Sequence, residues 1–442
     1  MSRFRINDTR PYIYRTHDGG KSWQGIMTGL PDFGSVDTVR EDPVRKGLLF
    51  AGTENSVFVS FDDGDHWQPL QLNLPHTAAR DLWIHDNDLI VGTHGRGFWI
   101  LDDVTPLREA SAAVASSVHL FAPAPAYRVQ RDTNTDTPLP PDEPAGANPP
   151  DGAIIDYNLP SAAKAVTIDI LDAQGHVVRS YSSADKPEVS EEDLQKQLIP
   201  LYWTRKFHAL STAAGMHRWV WDLHYTAPVA TRHDYPIAAI AHDTPRQPLG
   251  PTALPGTYKV RLTVDGKVLT GSLTIKMDPR VKTSAAGLEK KFEAETELAS
   301  LVSQTSQAIL QASSIHTQLD KLSPSAGETK NAIEDFEKKL TALLGAPGGF
   351  FAPPSTEATL SRINGEASTL YQQVWQADAQ PTSAQTEATG ATKRSAADVL
   401  KRWKDFSNTE LPALNRLLRN AHVPEINAQA DLQHEESGVD QE

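Results

Sequence analysis

Glu54 is the acidic residue that the sequence places best for chemistry. It stands between two runs of strand-forming residues, 48–53 and 57–61, in a short turn at the strand ends. Hydrolysis of a glycosidic bond uses two carboxyl groups that face one groove. No second acid pairs with Glu54 in the sequence, so the pattern supplies one candidate catalytic acid. The alternative is an ordinary solvated turn residue.

Three further polar side chains are candidates for binding a ligand beside that acid. Asn55 follows Glu54 in the same turn, and His94 and Arg96 occupy a glycine-rich turn between strand-like runs at 89–93 and 98–101. An imidazole and a guanidinium next to a carboxylate are suited to a polar or anionic group. Strands flank the glycine-rich turn on both sides, so it offers no helix N-terminus for a phosphate.

The composition excludes several classes of function. A net charge of −14 argues against a nucleic-acid surface, which needs clustered cations. Cysteine is absent, and the histidines at 217, 224, 233 and 242 lack the spacing of metal ligands, so we expect neither a metal nor a cofactor. No apolar run reaches the roughly 18–20 residues of a membrane span, and residues 1–5 lack the apolar core of a signal peptide.

A repeated segment indicates how these turns are organised. Two segments 44 residues apart share the pattern Ser/Thr-x-Asp-x-Gly-x-x-Trp, and a spacing of about 40–50 residues is typical of propeller blades. In such a turn the hydroxyl and the carboxylate bind local backbone amides, the glycine takes a positive φ, and the tryptophan fills the gap to a neighbouring sheet. The pattern residues are Thr16, Asp18, Gly20 and Trp23, and then Ser60, Asp62, Gly64 and Trp67.

These segments resemble the Asp-box of bacterial BNR-repeat β-propeller proteins, which include sialidases, xyloglucanase-like glycosyl hydrolases and sortilin-like propellers. The stretches 40–67 and 88–107 resemble the last blades of such proteins. The resemblance implies a carbohydrate-associated protein of extracellular or periplasmic location. The alternative that it leaves open is a sortilin-like propeller that binds a peptide or protein. In this family the box is a structural device, so Asp18 and Asp62 are not expected to be catalytic.

The resemblance also predicts which side chains share a face. Because the box lies between the third and fourth strands of a blade, the opposite face is formed by turns between the second and third strands and by loops between blades. On that face we expect Glu54, Asn55, His94 and Arg96, together with Asp32, His76 and Arg80.

The whole chain is predicted to be multidomain, with all-β regions followed by an α-helical bundle. We expect incomplete propeller blades over 1–123, a linker rich in proline and aspartate over 124–151, and an Ig-like β-sandwich over 152–279. Apolar residues three or four apart predict an antiparallel helical bundle over 280–426 that folds on its own, and 427–442 reads as a disordered acidic tail.

The blade count predicts an incomplete active site. A propeller closes with about four to eight blades, whereas residues 1–123 supply fewer than three. We therefore expect the remaining blades to belong to a longer polypeptide, and we expect this chain alone to be inactive as an enzyme.

Overall fold

The computed structural model describes residues 4–130, 137–143, 145–197, 199–236, 239–322, 329–345 and 358–429. In this part of the chain every strand precedes residue 278 and four long helices follow it. The predicted order of β-sheets followed by a helical region is confirmed. None of the described helices is long and apolar enough to cross a membrane. The predicted tail lies outside the described residues from position 430 onward.

The strands and helices have the following bounds. The strands are β1 (Tyr14–Arg15), β2 (Gln24–Gly25), β3 (Val36–Glu41), β4 (Leu49–Thr53), β5 (Val57–Ser60), β6 (Gln68–Pro69), β7 (Ala79–His85), β8 (Asp88–Thr93), β9 (Phe98–Leu101), β10 (His119–Leu120), β11 (Ala126–Arg128), β12 (Ala153–Leu159), β13 (Val166–Leu171), β14 (Val177–Ser182), β15 (Gly215–Trp221), β16 (Gly256–Val264) and β17 (Lys267–Met277). The helices are α1 (Thr105–Glu109), α2 (Ala112–Ala115), α3 (Glu191–Lys196), α4 (Ala285–Leu322), α5 (Lys330–Leu344), α6 (Leu360–Trp375) and α7 (Ser383–Asn420).

The first β region contains three antiparallel sheets in chain order. They are β1-β2, β3-β4-β5-β6 and β7-β8-β9. Every residue of β4 is buried, and successive side chains enter different cores. Phe50 packs in a cluster with residues of β7 and β8, whereas Leu49 and Ala51 pack with Ile13 and Ile26. Since side chains alternate along a strand, the middle sheet is covered on both faces by its neighbours.

The two repeated segments form the same hydrogen-bonded turn. In each, the hydroxyl donates to the aspartate two residues on, at 2.9 and 2.8 Å, and accepts from the glycine amide four residues on, at 2.9 Å in both. The same aspartate oxygen accepts an amide four residues further along, at 2.9 Å in both. These residues are Thr16, Asp18, Gly20 and Ser22 in the first turn, and Ser60, Asp62, Gly64 and His66 in the second. The carboxylates are thus committed to their own turns, and bonds from Ser22 and Thr16 hold the pKa of Asp18 at about 2.

The two tryptophans of the repeat differ in burial. Trp67 is 3% exposed, and its Nε1 donates to the carbonyl of Ile26 at 2.9 Å. Its carbonyl lies so close to Gly29 that a Cβ there would come within 2.2 Å. Trp23 is 62% exposed, and its Nε1 donates within its own turn, to the carbonyl of Gly20. The burial expected for Trp23 is therefore not found, because residues 4–13 contain a single 3-10 turn and no strand on which it could pack.

The second β region encloses one core between two sheets. The sheets are β10-β12-β15 and β11-β17-β16-β13-β14, and their buried side chains form a single cluster that includes Trp221 and Tyr157. β10 and β11 fall within or beside the predicted linker, yet they pair with β12 and β17. The Arg218 side chain joins the two β regions, because it binds Asp156 at 2.9 Å and the carbonyl of Asp103 at 2.9 Å.

The four long helices share a separate hydrophobic core. Each helix contributes buried apolar side chains to it at intervals of three or four residues, such as Phe336 of α5 and Phe406 of α7, whose rings lie 4.7 Å apart. α4 and α7 have 38 residues each. The apolar residues three or four apart that the sequence shows over 280–426 fall in these four helices.

Four charged side chains are buried where the helices meet the second β region. Lys291 Nζ lies 2.5 Å from Glu295 Oε1 and 3.7 Å from an oxygen of Asp378. Arg128 of β11 binds the same Asp378 carboxylate, and Glu295 also accepts from the amide of Thr252 at 3.2 Å. All four side chains are at most 3% exposed. The cluster argues against independent folding of 280–426, because excision would remove Arg128 and Thr252 from their carboxylates.

We expect Trp67→Ala to destabilise the protein by about 3–5 kcal/mol, because it empties a buried site between two sheets. Trp23→Ala is the matched control and should change the free energy of unfolding by less than about 0.5 kcal/mol, as for other surface substitutions. Urea denaturation measures both. Equal losses for the two variants would contradict the burial difference.

We expect Lys291→Met to destabilise the protein by about 3–5 kcal/mol, because two buried carboxylates would lose a cation. Lys290→Met, at the exposed neighbouring position, is the control. Adding Glu295→Gln to Lys291→Met should restore part of the loss. The cluster would have no stabilising role if Lys290→Met and Lys291→Met gave the same unfolding midpoint.

Candidate functional site

Two threonines close equivalent turns in neighbouring sheets. Thr53 ends β4 and donates its hydroxyl proton to the Ser56 carbonyl at 3.0 Å. Thr93 ends β8 and donates to the Gly97 carbonyl at 2.6 Å. Each hydroxyl also accepts from an amide three residues on, at 3.1 Å in both turns. The two turns are therefore closed in the same way, although the carbonyl lies three residues after Thr53 and four residues after Thr93, so the second turn is one residue longer.

Glu54 and His94 occupy equivalent positions in these turns. The amide of Glu54 donates to the carbonyl of Ser35 at 3.1 Å, and the amide of His94 donates to the carbonyl of Ala78 at 2.9 Å. Each bond ties the turn to the loop that leads into the first strand of the same sheet. The half-buried Glu54 and the exposed His94 therefore repeat along one edge of the stacked sheets.

Each sheet also carries a β-bulge at this edge. In the β3–β4 pairing, Val36 lies opposite Thr53 and Thr38 opposite Gly52, so Asp37 has no partner. The β7–β8 pairing skips Arg80 in the same way. A bulge bends the strand and redirects the extra side chain, and bulges are frequent beside active sites. The equivalent bulges bring Asp37 and Arg80 together across the two sheets, with Arg80 Nη1 3.0 Å from Asp37 Oδ2.

The surroundings of Asp37 raise its pKa. Its side chain is 14% exposed. Burial is the largest effect and raises the pKa, Arg80 opposes it, and the negative charge of Glu54 raises it further. We call Asp37, Glu54, Arg80 and His94 the carboxylate edge. In the carboxylate edge, the carboxyl group of Asp37 has a raised pKa, and the negative charge of Glu54 contributes to that rise.

The other predicted site residues lie on the same edge without joining its ion pair. Asn55 covers Gly34, where a Cβ would lie 2.9 Å from Asn55 Nδ2. Arg96 and His76 are exposed in turns, and Asp32 is exposed in the loop before β3. Among the described residues, no hydrogen bond or ion pair joins the carboxylate of Glu54 to His94 or Arg96.

Asp37 is the residue that sequence reasoning missed. It stands inside a strand, where the alternation of VDTVRE reads as an ordinary solvent-facing position. The signal that identifies it is the bulge, which is a property of the pairing between β3 and β4. Arg80 was expected on this face, but its partner was not.

A separate cluster of possible metal ligands lies on the helices. His316, Asp320 and Glu337 place ligand atoms within 4.8 Å of one another. His316 and Asp320 are exposed, and the histidine ring lies between the two carboxylates, with Nε2 3.8 Å from Asp320 and Nδ1 3.1 Å from Glu337. Exposed groups of this kind are common on helices, and this one is remote from the carboxylate edge in the chain.

Comparison with known proteins gives little guidance. No family model matches the chain, and no curated protein matches it. One solved structure that aligns is the extracellular domain of a hybrid two-component system from B. thetaiotaomicron, at 10% identity and a TM-score of 0.18. The alignment covers 61% of this chain and 29% of that one, so the chain spans less than a third of that protein's length. A similarity of this size supports no inference about fold or function.

We expect substitutions at the carboxylate edge to shift the pKa of Asp37 in opposite directions. Glu54→Gln removes a negative charge and should lower it, whereas Arg80→Gln removes a positive charge and a hydrogen bond and should raise it. Carboxyl ¹³C NMR titration measures both shifts. Asp86→Asn, at an exposed turn, is the control and should leave the titration unchanged. Shifts of the same sign would rule out the proposed geometry.

Proposed function

We propose that this chain carries blades of a BNR-type propeller that acts on carbohydrate, with the carboxylate edge as part of its ligand-binding face. The observation that carries the proposal is the repetition of one plan in consecutive sheets. A bulge residue and a turn residue recur at one end of the sheets, in Asp37 with Glu54 and in Arg80 with His94. The Asp-box turns follow β1 and β5. Glu54 lies in the turn that joins β4 to β5, and the box that follows β5 lies at the opposite end of this strand pair.

The chemistry of the edge suits an acetal substrate. Glycosidases use one carboxyl group that is protonated to donate to the leaving oxygen, and a second that attacks or activates water. We assign the role of proton donor to Asp37, whose pKa is raised, and Glu54 supplies the second carboxyl group. Arg80 and His94 stand where they can bind substrate hydroxyl or carboxylate groups.

The described sheets supply only part of such a site. They contain two, four and three strands, nine in all, whereas even a four-bladed ring needs about 16. A substrate held between blades would lack contacts from the rest of the ring, and positioning accounts for a large share of enzymatic rate. We also propose an extracellular or periplasmic location, which rests on the resemblance alone.

We expect the 442-residue chain to give no detectable turnover on a panel of aryl-glycosides and polysaccharides. A longer polypeptide that completes the ring should be active, and Asp37→Asn or Glu54→Gln should each lower its kcat by about 10²–10⁴-fold. Asp86→Asn should leave kcat unchanged. Robust turnover by the short chain that disappears in Glu54→Gln would mean that these residues contain a whole active site.

The turnover assay, together with peptide titration of the same proteins, separates carbohydrate chemistry from a sortilin-like peptide-binding role. If the longer polypeptide hydrolyses no glycoside and binds peptides at the carboxylate edge, with affinity lost in Arg80→Gln, the carbohydrate proposal fails.

A further inference from the structure

The open edges of the two sheets in the second β region meet at a large cleft. β14 is the outer strand of the five-stranded sheet, and β15 is the outer strand of the three-stranded sheet. Tyr181 of β14 and Trp219 of β15 touch across this gap, with ring centroids 4.9 Å apart and planes at 63°. The cleft beside them has a volume of about 1840 Å³, which exceeds the usual size of a site for one small molecule.

Aromatic side chains line the cleft. Besides Tyr181 and Trp219, these are Tyr202, Tyr235 and Phe207, and Phe207 is 47% exposed. Aromatic faces bury the apolar C–H surfaces of a ligand at low entropic cost, because their side chains have few rotatable bonds. The cleft therefore offers several flat apolar surfaces to a ligand that has apolar faces of its own.

Hydrogen-bond donors in the wall of the cleft lack acceptors. Trp219 Nε1, Arg179 Nε and Arg246 Nε are buried, and none has a hydrogen-bond partner among the described residues. Arg179 also stacks over Tyr181, 5.3 Å from its ring centroid. Buried donors without acceptors destabilise a protein, so a side-chain rotation that brings one of these atoms from the wall to a ligand oxygen would gain a hydrogen bond that the free protein lacks.

The charges of the lining are nearly balanced. Arg205 is held by Asp243 at 2.7 Å and by Asp222 at 3.3 Å, and Arg246 lies 3.5 Å from Glu188. The Glu188 side chain is 69% exposed and can also accept from a hydroxyl group. A charged ligand would add a charge that no side chain of the lining compensates, and burying that charge would be unfavourable. A neutral ligand that donates and accepts hydrogen bonds adds no such charge.

We propose that this cleft binds a neutral oligosaccharide. Sugar rings present apolar C–H faces to the aromatic side chains, hydroxyl oxygens to the orphaned donors, and hydroxyl protons to the carboxylates. The site is separate from the carboxylate edge and does not depend on the function proposed above. It makes the second β region a carbohydrate-binding module that holds a chain of sugars without cleaving it.

The test is isothermal titration of the full chain with neutral hexasaccharides: cellohexaose, laminarihexaose and maltohexaose. At least one should bind, and Trp219→Phe, which keeps a ring but removes the N–H, should weaken that binding about tenfold, as expected for the loss of one buried hydrogen bond. Arg179→Gln should weaken it by a similar factor. Hexagalacturonate and an acidic peptide serve as charged ligands and should bind more weakly than the neutral sugar.

Control variants distinguish this cleft from other surfaces. Trp83→Phe replaces an exposed tryptophan of β7, and Arg416→Gln replaces an exposed arginine of α7, so neither should change the affinity. Glu54→Gln should also leave it unchanged, because the carboxylate edge lies in the first β region. Retention of saccharide binding in Glu54→Gln would support this site even if no glycoside is ever hydrolysed.

Three results would overturn the proposal. The first is that no neutral hexasaccharide binds at millimolar concentration. The second is that binding persists unchanged in both Trp219→Phe and Arg179→Gln, or disappears in Glu54→Gln. The third is tighter binding of hexagalacturonate or of the peptide. If a cleft variant fails to fold, Phe207→Ala takes its place, because removal of this exposed ring of the lining should also weaken binding.

Discussion

Burial of β4 on both faces is the constraint on which the candidate site depends. A strand with no face left for water must have a packed sheet on each side, and interiors are packed too densely for those sheets to slide. Phe50 fixes the position of the third sheet, and Leu49 and Ala51 fix the first. Because the sheets cannot shift, their equivalent turns and bulges fall into line. Asp37 and Arg80 meet for this reason, and their ion pair is a result of the stacking.

A second constraint acts at the other end of the protein. The cluster of Arg128, Asp378, Lys291 and Glu295 is almost fully removed from water, so each charge is tolerable only while its partners stay in place. Tyr371 of α6 adds a bond from its hydroxyl to the carbonyl of Leu249 at 2.7 Å. Helices that share a core of their own are thereby joined to the sheets, and the two regions gain or lose stability together.

The two candidate ligand sites are built on different electrostatic principles. At the carboxylate edge, burial and the nearby negative charge of Glu54 raise the pKa of Asp37, which suits a group that transfers a proton. In the cleft, cations and carboxylates neutralise one another, and the unsatisfied groups are hydrogen-bond donors: one indole N–H and two guanidinium Nε–H groups. The first arrangement favours chemistry, and the second favours binding without chemistry.

The sequence by itself determined what depends on neighbours along the chain. Alternating apolar runs gave strands, stripes at three and four residues gave the four helices, and the two repeated turns close with bonds that span no more than four residues. Glu54 and His94 were visible because turns at strand ends are local features. Tertiary structure decided what depends on pairing and stacking. A bulge cannot be read from one strand, so Asp37 was missed, and Arg128 meets Asp378 across 250 residues. Trp23 and Trp67 have the same local pattern, yet in the part of the chain that the structure describes only Trp67 packs against a neighbouring sheet. Burial of the motif tryptophan therefore depends on the neighbouring element and not on the motif itself.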